Sequence, residues 1–401
     1  MQKIAFVTGE YPPMEGGVGA FTEQLGRAVA ALGYEVHIIS SKQSRPYVTT
    51  KWRSLLEPVD LGFAQLHPIV KKWNWKAVGQ VADTAVRYEF DLVNIQYQAA
   101  AYDMRSPAIN FLPWRLRGVS KTAVTFHDLR TPYLFPKAGK LRQTAVYRMA
   151  SHADGTIVTN QIDEDELHPR VDNPLAQIPI GSNIIAPAPD AAAIKAVRGK
   201  LGLDDDVFLL GYFGFLNETK GADTLLAAMG KLETRFPNGR FHLIFIGGQT
   251  GSSDGDNNAQ FLRDLRQQID DAGLTERVHW TGFVEDADVS TYLYAADLMV
   301  MPYRDGASLR RGTLMAALAH KRPLLTTIPQ SPIPELQHNQ NAYFVPADDA
   351  DALTTAIQTI AADDSLRHRL AEGAGQTADL FTWDKIAEQT VNFFQSLQVS
   401  K

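Results

Sequence analysis

The stretch from Asp297 to Thr327 reads DLMVMPYRDGASLRRGTLMAALAHKRPLLTT. Two short apolar runs in it, Leu298 to Met301 and Leu324 to Thr327, have the length of buried strands. Between them lie a polar loop and an apolar segment around Leu314 that is typical of a helix buried on more than one side. The stretch therefore predicts strand, loop, helix and strand, the repeating unit of a parallel α/β sheet.

The loop of this stretch carries residues suited to phosphate binding. Arg310 and Arg311 are adjacent, and Gly312 permits close approach of a ligand to the backbone. Unpaired N–H groups at the start of a helix, together with the positive end of its dipole, favour an anion. An ordinary βαβ turn with solvated arginines explains this stretch alone equally well.

Length and composition exclude several classes of protein. The chain has 401 residues, enough for two domains or one large one, with 45% hydrophobic and 21% charged residues. A net charge of −6 argues against general nucleic-acid binding. The absence of cysteine excludes disulfides and thiolate metal sites. No segment has the length of a signal peptide or membrane span, so a cytoplasmic location is expected.

The first part of the chain reads as alternating strands and helices. Ile4 to Val7 is a strand, and Gly16-Gly17 lies in the loop before the first helix. Two prolines precede those glycines, so the dinucleotide fingerprint is absent, which argues against a nicotinamide enzyme. Further strands are predicted at Val36–Ser40, Leu92–Ile95, Ala123–Phe126, Thr156–Val158 and Ile178–Ile180. Polar residues at their carboxyl ends would line one edge of a doubly wound sheet.

A second α/β series follows a proline-rich segment, 184–193, that we interpret as an interdomain linker. Residues 248–258 are polar and rich in glycine, which predicts a mobile loop. The chain closes with a helix from Trp383 to Leu397. Besides the opening stretch, strands are predicted at Leu209–Phe213, Leu243–Ile246, Val278–Thr281 and Tyr343–Val345.

Taken together, five motifs resemble the retaining glycosyltransferases of the GT-B fold, family 4. They are Tyr11–Pro13 with Gly16-Gly17, Phe126-His127, Lys220-Gly221, Pro302 to Pro323, and the C-terminal helix around Trp383. The resemblance implies an α/β protein of GT-B architecture, with two Rossmann-like, doubly wound parallel-sheet domains and a cleft between them. It implies an acceptor-side domain at 1–185, a nucleotide-sugar domain at 186–380, and a C-terminal helix at 381–401 that crosses back to the first domain.

The resemblance, with the strand-end positions, predicts three groups of site residues. The predicted catalytic residues are His127, Lys220 and Arg311. The predicted donor-binding residues are Gly16, Gly17, Gly214, Asn217, Lys220, Gly248, Ser308, Leu309, Arg310, Arg311, Gly312 and Thr313. The predicted acceptor-side residues are Glu10, Tyr11, Tyr97, Asp128, Arg130 and Asn160. Each of this last group fits a structural role equally well.

Phe215 stands where the family usually has an arginine that stabilises the diphosphate. A leaving diphosphate needs about two positive charges near it, of which Lys220 supplies one. Our hypothesis is that Arg310 or Arg311 supplies the other.

The paired glutamates of the family's donor segment are also absent. One alignment places Ser308 and Ala316 at their positions, and another places Asp305 and Thr313 there. Lys321-Arg322 stands where relatives have a small residue and threonine. The second acid, which in relatives binds the donor ribose, is missing in either alignment.

The resemblance implies front-face transfer with retention, without a protein nucleophile, metal or cofactor. The nucleotide-diphosphate sugar is the donor substrate, and the acceptor is a carbohydrate or a lipid-linked sugar. Asp204–Asp206 and Asp254–Asp256 are interpreted as surface residues and not as metal ligands. Lys71–Lys76, with two tryptophans, fits weak peripheral contact with the inner face of a membrane or docking of a sugar acceptor. Tryptophans packed on the domain are the commoner explanation.

Three other functions compete with this one. A nucleotide-sugar epimerase of the same architecture would need well-placed acid–base carboxylates, which the sequence does not display. A degenerate transferase that binds nucleotide or a partner without turnover is motivated by Phe215 and the missing glutamate. A nicotinamide oxidoreductase is disfavoured by the glycine spacing.

Overall fold

The computed structural model describes residues 2–14, 16–45, 57–103, 105–129, 139–185, 188–204, 206–236, 239–248 and 255–399. It divides into two compact units. The first comprises Met1–Gly181 with Thr382–Lys401, and the second comprises Ser182–Phe381. Within the described ranges, no helix has the length and apolar character needed to cross a membrane.

The first unit is built on an eight-stranded sheet of order β3-β4-β2-β1-β5-β6-β7-β8. Neighbouring strands pair in parallel, apart from β3, which is antiparallel to β4. Central strands such as Ile4–Val7 are continuous apolar runs because both faces of a parallel sheet are covered. Its elements are β1 (Lys3–Thr8), α1 (Gly17–Ala31), β2 (Glu35–Ser41), β3 (Val59–Asp60), β4 (Ala64–Val70), α2 (Trp75–Tyr88), β5 (Leu92–Tyr97), α3 (Leu112–Arg115), β6 (Lys121–Phe126), α4 (Gly139–His152), β7 (Gly155–Val158), α5 (Gln161–Leu167) and β8 (Leu175–Gln177).

The second unit is built on a six-stranded parallel sheet of order β11-β10-β9-β12-β13-β14. The strands and helix predicted from the opening stretch are confirmed as β12, α10 and β13, and Leu314 to Leu318 are buried. Its elements are α6 (Ala191–Lys200), β9 (Phe208–Phe213), α7 (Ala222–Arg235), β10 (Phe241–Ile246), α8 (Gly255–Asp271), β11 (Val278–Trp280), α9 (Asp286–Ala295), β12 (Leu298–Met301), α10 (Gly312–Ala319), β13 (Leu324–Thr327), β14 (Tyr343–Val345), α11 (Ala350–Ala362) and α12 (Asp364–Ala378).

The last helix, α13 (Trp383–Val399), packs within the first unit against α1. The Trp383 ring lies 5.2 Å from that of Phe21, edge to face. A Cβ atom on Gly155 would come within 2.8 Å of Phe393 and Leu397. Gly155 therefore allows α13 to approach β7 closely.

Several sequence predictions of secondary structure are wrong. The predicted strand at Ile178–Ile180 lies three residues earlier, as β8. β4 was missed because Gln65, His67 and Pro68 interrupt its apolar run. The predicted linker ends where Asp190 caps α6, its side chain accepting the Ala193 N–H at 2.7 Å. The predicted loop at 248–258 includes the first turn of α8, and residues 249–254 lie outside the described part of the chain.

Both units contain the same pair of histidines, all of them buried except the half-buried His279. In the first, Nδ1 of His37 lies 3.0 Å from Nε2 of His67, and in the second, Nδ1 of His242 lies 2.9 Å from Nε2 of His279. His67 lies opposite Ile39, two positions after His37, and His279 lies opposite Ile244, two positions after His242. Burial lowers the pKa of all four rings, to about 4 for His67 and His242. The sheets therefore repeat one diagonal contact between neutral imidazoles.

Candidate functional site

In the second unit, Lys220 lies in a short helical turn between β9 and α7. The turn ends at Gly221, whose φ of 68° is in the left-handed region. A Cβ atom on Gly221 would lie 2.0 Å from the carbonyl oxygen of Pro302, so a glycine is required there. A Cβ atom on Gly214, just after β9, would lie 3.3 Å from Nζ of Lys220. The two glycines thus bring Lys220 to the carboxyl ends of β9 and β12.

The start of α10 meets the same place. A Cβ atom on Gly214 would also lie 2.6 Å from Cγ2 of Thr313, whose hydroxyl is 2.8 Å from that of Tyr303. The first N–H groups of a helix have no partner within it, so those of Gly312 and Thr313 are available to an anion. The start of α10 therefore meets Gly214 and Lys220, although about a hundred positions separate it from them in sequence.

The ammonium of Lys220 has no hydrogen bond or ion pair with any residue that the structure describes. Burial, and then the nearby charge of Arg311, lower its pKa to about 8. At pH 7 the ammonium is still mostly charged. A half-buried cation beside another cation is stabilised by an anionic ligand. This part of the second unit is therefore suited to bind an anion.

Arg311 differs from its neighbour Arg310. Its guanidinium pairs with the Asp305 carboxylate and lies 4.2 Å from the centroid of the Tyr303 ring. Its side chain is 15% exposed, and its Nε has no hydrogen-bond partner in the described residues. Arg310 is half-buried and makes no ion pair within the described ranges. Arg311 is therefore the fixed second cation near Lys220, with its charge partly balanced by Asp305.

The remaining donor-side candidates make local contacts. Oδ1 of Asn217 accepts a hydrogen bond from Thr219 at 2.9 Å, and Oγ of Ser308 accepts the Arg310 N–H at 3.4 Å. A Cβ atom on Gly248 would lie 3.1 Å from the Phe215 ring, so this ring packs beside Gly248. Leu309 is half-buried in the same loop as Ser308.

Sequence reasoning missed Arg304, which holds the Lys220 turn in place. Its guanidinium donates to Asp348 at 2.7 Å, to the carbonyl oxygen of Glu218 at 3.1 Å, and to the Asp223 carboxylate. Burial acts to lower the pKa of Arg304, but these carboxylates outweigh it and raise that pKa. Its partners lie 44 to 86 positions away in sequence, so no local pattern could have identified it.

In the first unit, His127 follows β6, and its backbone N–H donates to Tyr97 at 2.9 Å. Its Nε2 lies 2.9 Å from Oε1 of Gln96, and its ring packs edge to face on Phe21 at 4.7 Å. Burial lowers the pKa of His127 to about 4, so the ring is neutral at pH 7.

A buried chain of amides sets the tautomer of His127. The Gln96 amide NH₂ donates to Oδ1 of Asn94, whose own NH₂ donates to Thr125 at 3.0 Å. Oε1 of Gln96 is then the atom that faces His127, and an amide oxygen only accepts. The proton of His127 is therefore on Nε2, and Nδ1 is left as a hydrogen-bond acceptor.

The start of α1 already carries an anion of the protein itself. A Glu10 carboxylate oxygen accepts the N–H groups of Val18 at 3.1 Å and Gly19 at 3.4 Å. Burial raises the pKa of Glu10. A Cβ atom on Gly16 would lie 2.0 Å from that carboxylate, and Gly17 is the first residue of α1. These contacts give Glu10 and Gly16 a structural role at the place where the sequence predicted donor and acceptor contacts.

The other acceptor-side candidates are largely buried. Tyr11 is 2% exposed and Tyr97 is 4% exposed. Asn160 caps α5, accepting the Asp163 N–H at 3.0 Å. Asp128 is half-buried and accepts a hydrogen bond from Gln98 at 3.2 Å. Arg130 lies outside the described residues. Among those residues, no group of three or more histidines and carboxylates is placed to hold a metal ion.

Two units built on largely parallel sheets, with candidate site residues at their strand ends, define a doubly wound α/β protein. Residues 16–181 match the family model of a glycosyl transferase 4-like domain, and residues 207–363 match that of glycosyl transferases group 1. The chain belongs to the GT-B glycosyltransferases of the family 4 type, and the predicted family and fold class are confirmed.

Relatives match the chain to different extents. Mannosylfructose-phosphate synthase from Agrobacterium fabrum is 29% identical over 52% of this chain, and the match spans only 44% of that relative. Phosphatidyl-myo-inositol mannosyltransferase from Mycobacterium leprae is 23% identical over 96% of this chain and 94% of its own length.

Solved structures agree with the fold along the whole chain. Sucrose-phosphate synthase from Thermosynechococcus elongatus has a TM-score of 0.77 at 21% identity, with all of both chains covered. HepE from Anabaena, solved in complex with UDP-glucose, has a TM-score of 0.72 at 18% identity, covering 99% of this chain and all of that one.

Proposed function

We propose that the chain transfers a sugar from a nucleotide-diphosphate sugar to an acceptor hydroxyl, with retention of configuration at the anomeric carbon. One observation carries the proposal. Burial and then the nearby charge of Arg311 lower the pKa of the Lys220 ammonium, which has no carboxylate partner within the described residues. A diphosphate supplies the missing negative charge.

In the proposed reaction, the bond between the anomeric carbon and the diphosphate oxygen breaks while a bond to the acceptor oxygen forms on the same face. The acceptor proton passes to an oxygen of the leaving diphosphate, so no side chain acts as nucleophile and neither a metal nor a cofactor takes part. Lys220, Arg311 and the N–H groups of Gly312 and Thr313 stabilise the charge on the leaving group.

His127 contributes to the proposed reaction as a neutral hydrogen-bond acceptor. Its Nε2 proton is held by Gln96, which leaves Nδ1 to accept a hydroxyl of the transferred sugar. With a pKa of about 4, the ring keeps this role over the physiological pH range.

The comparisons support a nucleotide-sugar donor and leave the base and sugar open. HepE was solved with UDP-glucose, and the name of the mycobacterial relative, a phosphatidyl-myo-inositol mannosyltransferase, points to a lipid-linked acceptor. We propose a carbohydrate or lipid-linked acceptor, and action in the cytoplasm at the inner face of the membrane.

A protein that binds nucleotide without turnover is the second candidate. Asp305 balances part of the charge of Arg311, and Phe215 occupies the sequence position at which the family usually has an arginine. With one full cation fewer than a leaving diphosphate needs, nucleotide binding would persist while the leaving group would be too poorly stabilised for transfer.

A screen in two steps separates these functions. Nucleoside diphosphates are first ranked by the thermal shift that they cause, and the matching nucleotide sugars are then incubated with and without simple glycosides. We expect sugar release or transfer, with the anomeric configuration of the donor retained in the product by proton NMR. Binding without any release favours the second candidate, and inverted product contradicts front-face transfer.

A further inference from the structure

The two tryptophans that follow β4 have different surroundings. Trp73 is 7% exposed, and its indole N–H donates to the carbonyl oxygen of Gly9 at 3.2 Å. Trp75, the first residue of α2, is 59% exposed. Packing on the domain therefore explains Trp73 and leaves Trp75 unexplained.

Trp75 belongs to a larger set of exposed apolar side chains. Its ring lies 5.1 Å from that of Phe111, and Trp114 in α3 is 56% exposed. Leu141, in the first turn of α4, is 75% exposed. Helices α2 and α4 both contact α3, so these side chains belong to one group of adjacent helices. We call residues 71–76, 111–117 and 141–148 the tryptophan surface.

The chain segments that carry this surface are basic, although the protein as a whole is acidic. Segments 71–82, 105–118 and 141–152 contain eight basic residues and no Asp or Glu, in a chain of net charge −6. The eight are Lys71, Lys72, Lys76, Arg105, Arg115, Arg117, Arg142 and Arg148. Positive charge around exposed indoles complements an anionic surface.

The tryptophan surface begins at the carboxyl edge of the first sheet. β4 ends at Val70, directly before Lys71, and Trp73 bonds to Gly9 at the end of β1. Glu10 and Tyr11, predicted on the acceptor side, follow Gly9. The exposed residues thus adjoin the edge of the first unit where the sequence predicts acceptor contacts.

We propose that the tryptophan surface docks on an anionic lipid bilayer. Trp75 and Trp114 enter the interfacial region, and the lysines and arginines contact the headgroups. Single-stranded nucleic acid also binds basic surfaces with aromatic side chains, but by stacking bases on rings. The exposed aliphatic side chain of Leu141 favours hydrocarbon contact. Docking requires neither nucleotide nor acceptor, so it can be tested independently of the proposed reaction.

Vesicle sedimentation tests the proposal with the full chain. Wild-type protein should sediment with vesicles of phosphatidylcholine and phosphatidylglycerol, stay in solution with pure phosphatidylcholine, and be released by salt. The double variant Trp75→Ala/Trp114→Ala should bind about tenfold more weakly, as should Lys71→Gln/Lys72→Gln. Phe283→Ala removes a residue of the second unit that is 64% exposed, and should bind like wild type. Unchanged thermal unfolding would show that each variant is folded.

Two further measurements distinguish a lipid bilayer from single-stranded nucleic acid as the partner of the tryptophan surface. Brominated lipids should quench the tryptophan emission of the wild type and lose that effect with the double variant. The proposal is overturned if wild-type protein does not bind anionic vesicles, or if the double variant binds them equally well. It is also overturned if a single-stranded oligonucleotide binds more tightly than the vesicles and binds less tightly to the double variant.

Discussion

Nε2 of His127 lies 2.9 Å from Oε1 of Gln96, and the buried Gln96 amide determines which ring nitrogen carries the proton. Asn94 and Thr125 extend this chain of hydrogen bonds into the sheet. Burial keeps this strand-end histidine neutral, and Gln96 leaves its Nδ1 as the hydrogen-bond acceptor.

Replacing Gln96 by leucine should remove the hydrogen bond that fixes the tautomer of His127. The Nε2 proton would lose its acceptor inside the protein, which costs about 1–3 kcal/mol of unfolding free energy. Proton–nitrogen correlation spectra of the imidazole should show the Nε2–H tautomer alone in the wild type and a mixture in the variant. Gln98→Leu, which removes a contact to Asp128, is the matched control. A wild-type ring protonated on Nδ1 would contradict the assignment.

The arginine pair is predicted to replace the missing family arginine. Substituting alanine for both Arg310 and Arg311 should lower donor turnover by about a hundredfold, or roughly 3 kcal/mol, because one stabilising charge on the leaving group is lost. Asp305→Asn keeps both arginines and removes only the carboxylate, so its turnover should not fall. Full turnover by the double alanine variant would refute the compensation.

The nucleotide affinity should depend on pH through Lys220. The lysine pKa of about 8 in the free protein means that its charge is present at pH 7 and is lost as the pH rises. The dissociation constant of a nucleoside diphosphate should therefore be flat near pH 7 and rise about tenfold per unit above pH 8. Calorimetric titrations at several pH values measure it, with Lys220→Ala as the insensitive control. A flat wild-type profile would show that Lys220 does not meet the diphosphate.

The two histidine pairs should make the fold sensitive to acid. Since burial lowers the pKa of His67 and His242 from 6.5 to about 4, the unfolded chain binds protons more readily than the folded one. Their stabilisation is complete above pH 6.5 and is lost as the pH falls towards 4, on the order of 2 kcal/mol for each at pH 5. Urea unfolding at pH 7 and pH 5 measures the change.

Glutamine at both positions, His67→Gln/His242→Gln, should flatten this part of the stability profile. Glutamine stays neutral at every pH and keeps a polar side chain next to His37 and His279. If the variant lost as much stability as the wild type between pH 7 and pH 5, other titrating groups would account for the acid sensitivity.

The parts of the molecule that the sequence predicted are those with local signals. Short apolar runs identified β12 and β13, and the Lys220-Gly221 pair was identified by its resemblance to a motif of the family. The left-handed backbone of Gly221 and its contact with Pro302 explain why a glycine stands there.

The parts that could not be predicted depend on distant contacts. Arg304 gains its role from partners up to 86 positions away, and Gln96 gains its role only when β5 pairs with β6. The position of Glu10 after β1 also did not predict its contact with the start of α1. That contact forms only when the loop between β1 and α1 folds back on the helix. The exposure of Trp75 beside a buried Trp73 likewise follows from packing and not from composition.

The central claim is that Lys220 binds the diphosphate of the donor, and one titration tests it most directly. The nucleoside diphosphate that gives the largest thermal shift is titrated at pH 7 into wild-type protein, Lys220→Ala and Lys231→Ala. Lys231 lies in α7 of the same unit, paired with Asp351, and its removal subtracts the same charge. We predict that Lys220→Ala weakens binding by about tenfold or more while Lys231→Ala binds like wild type. Equal affinity of the two variants would contradict the claim.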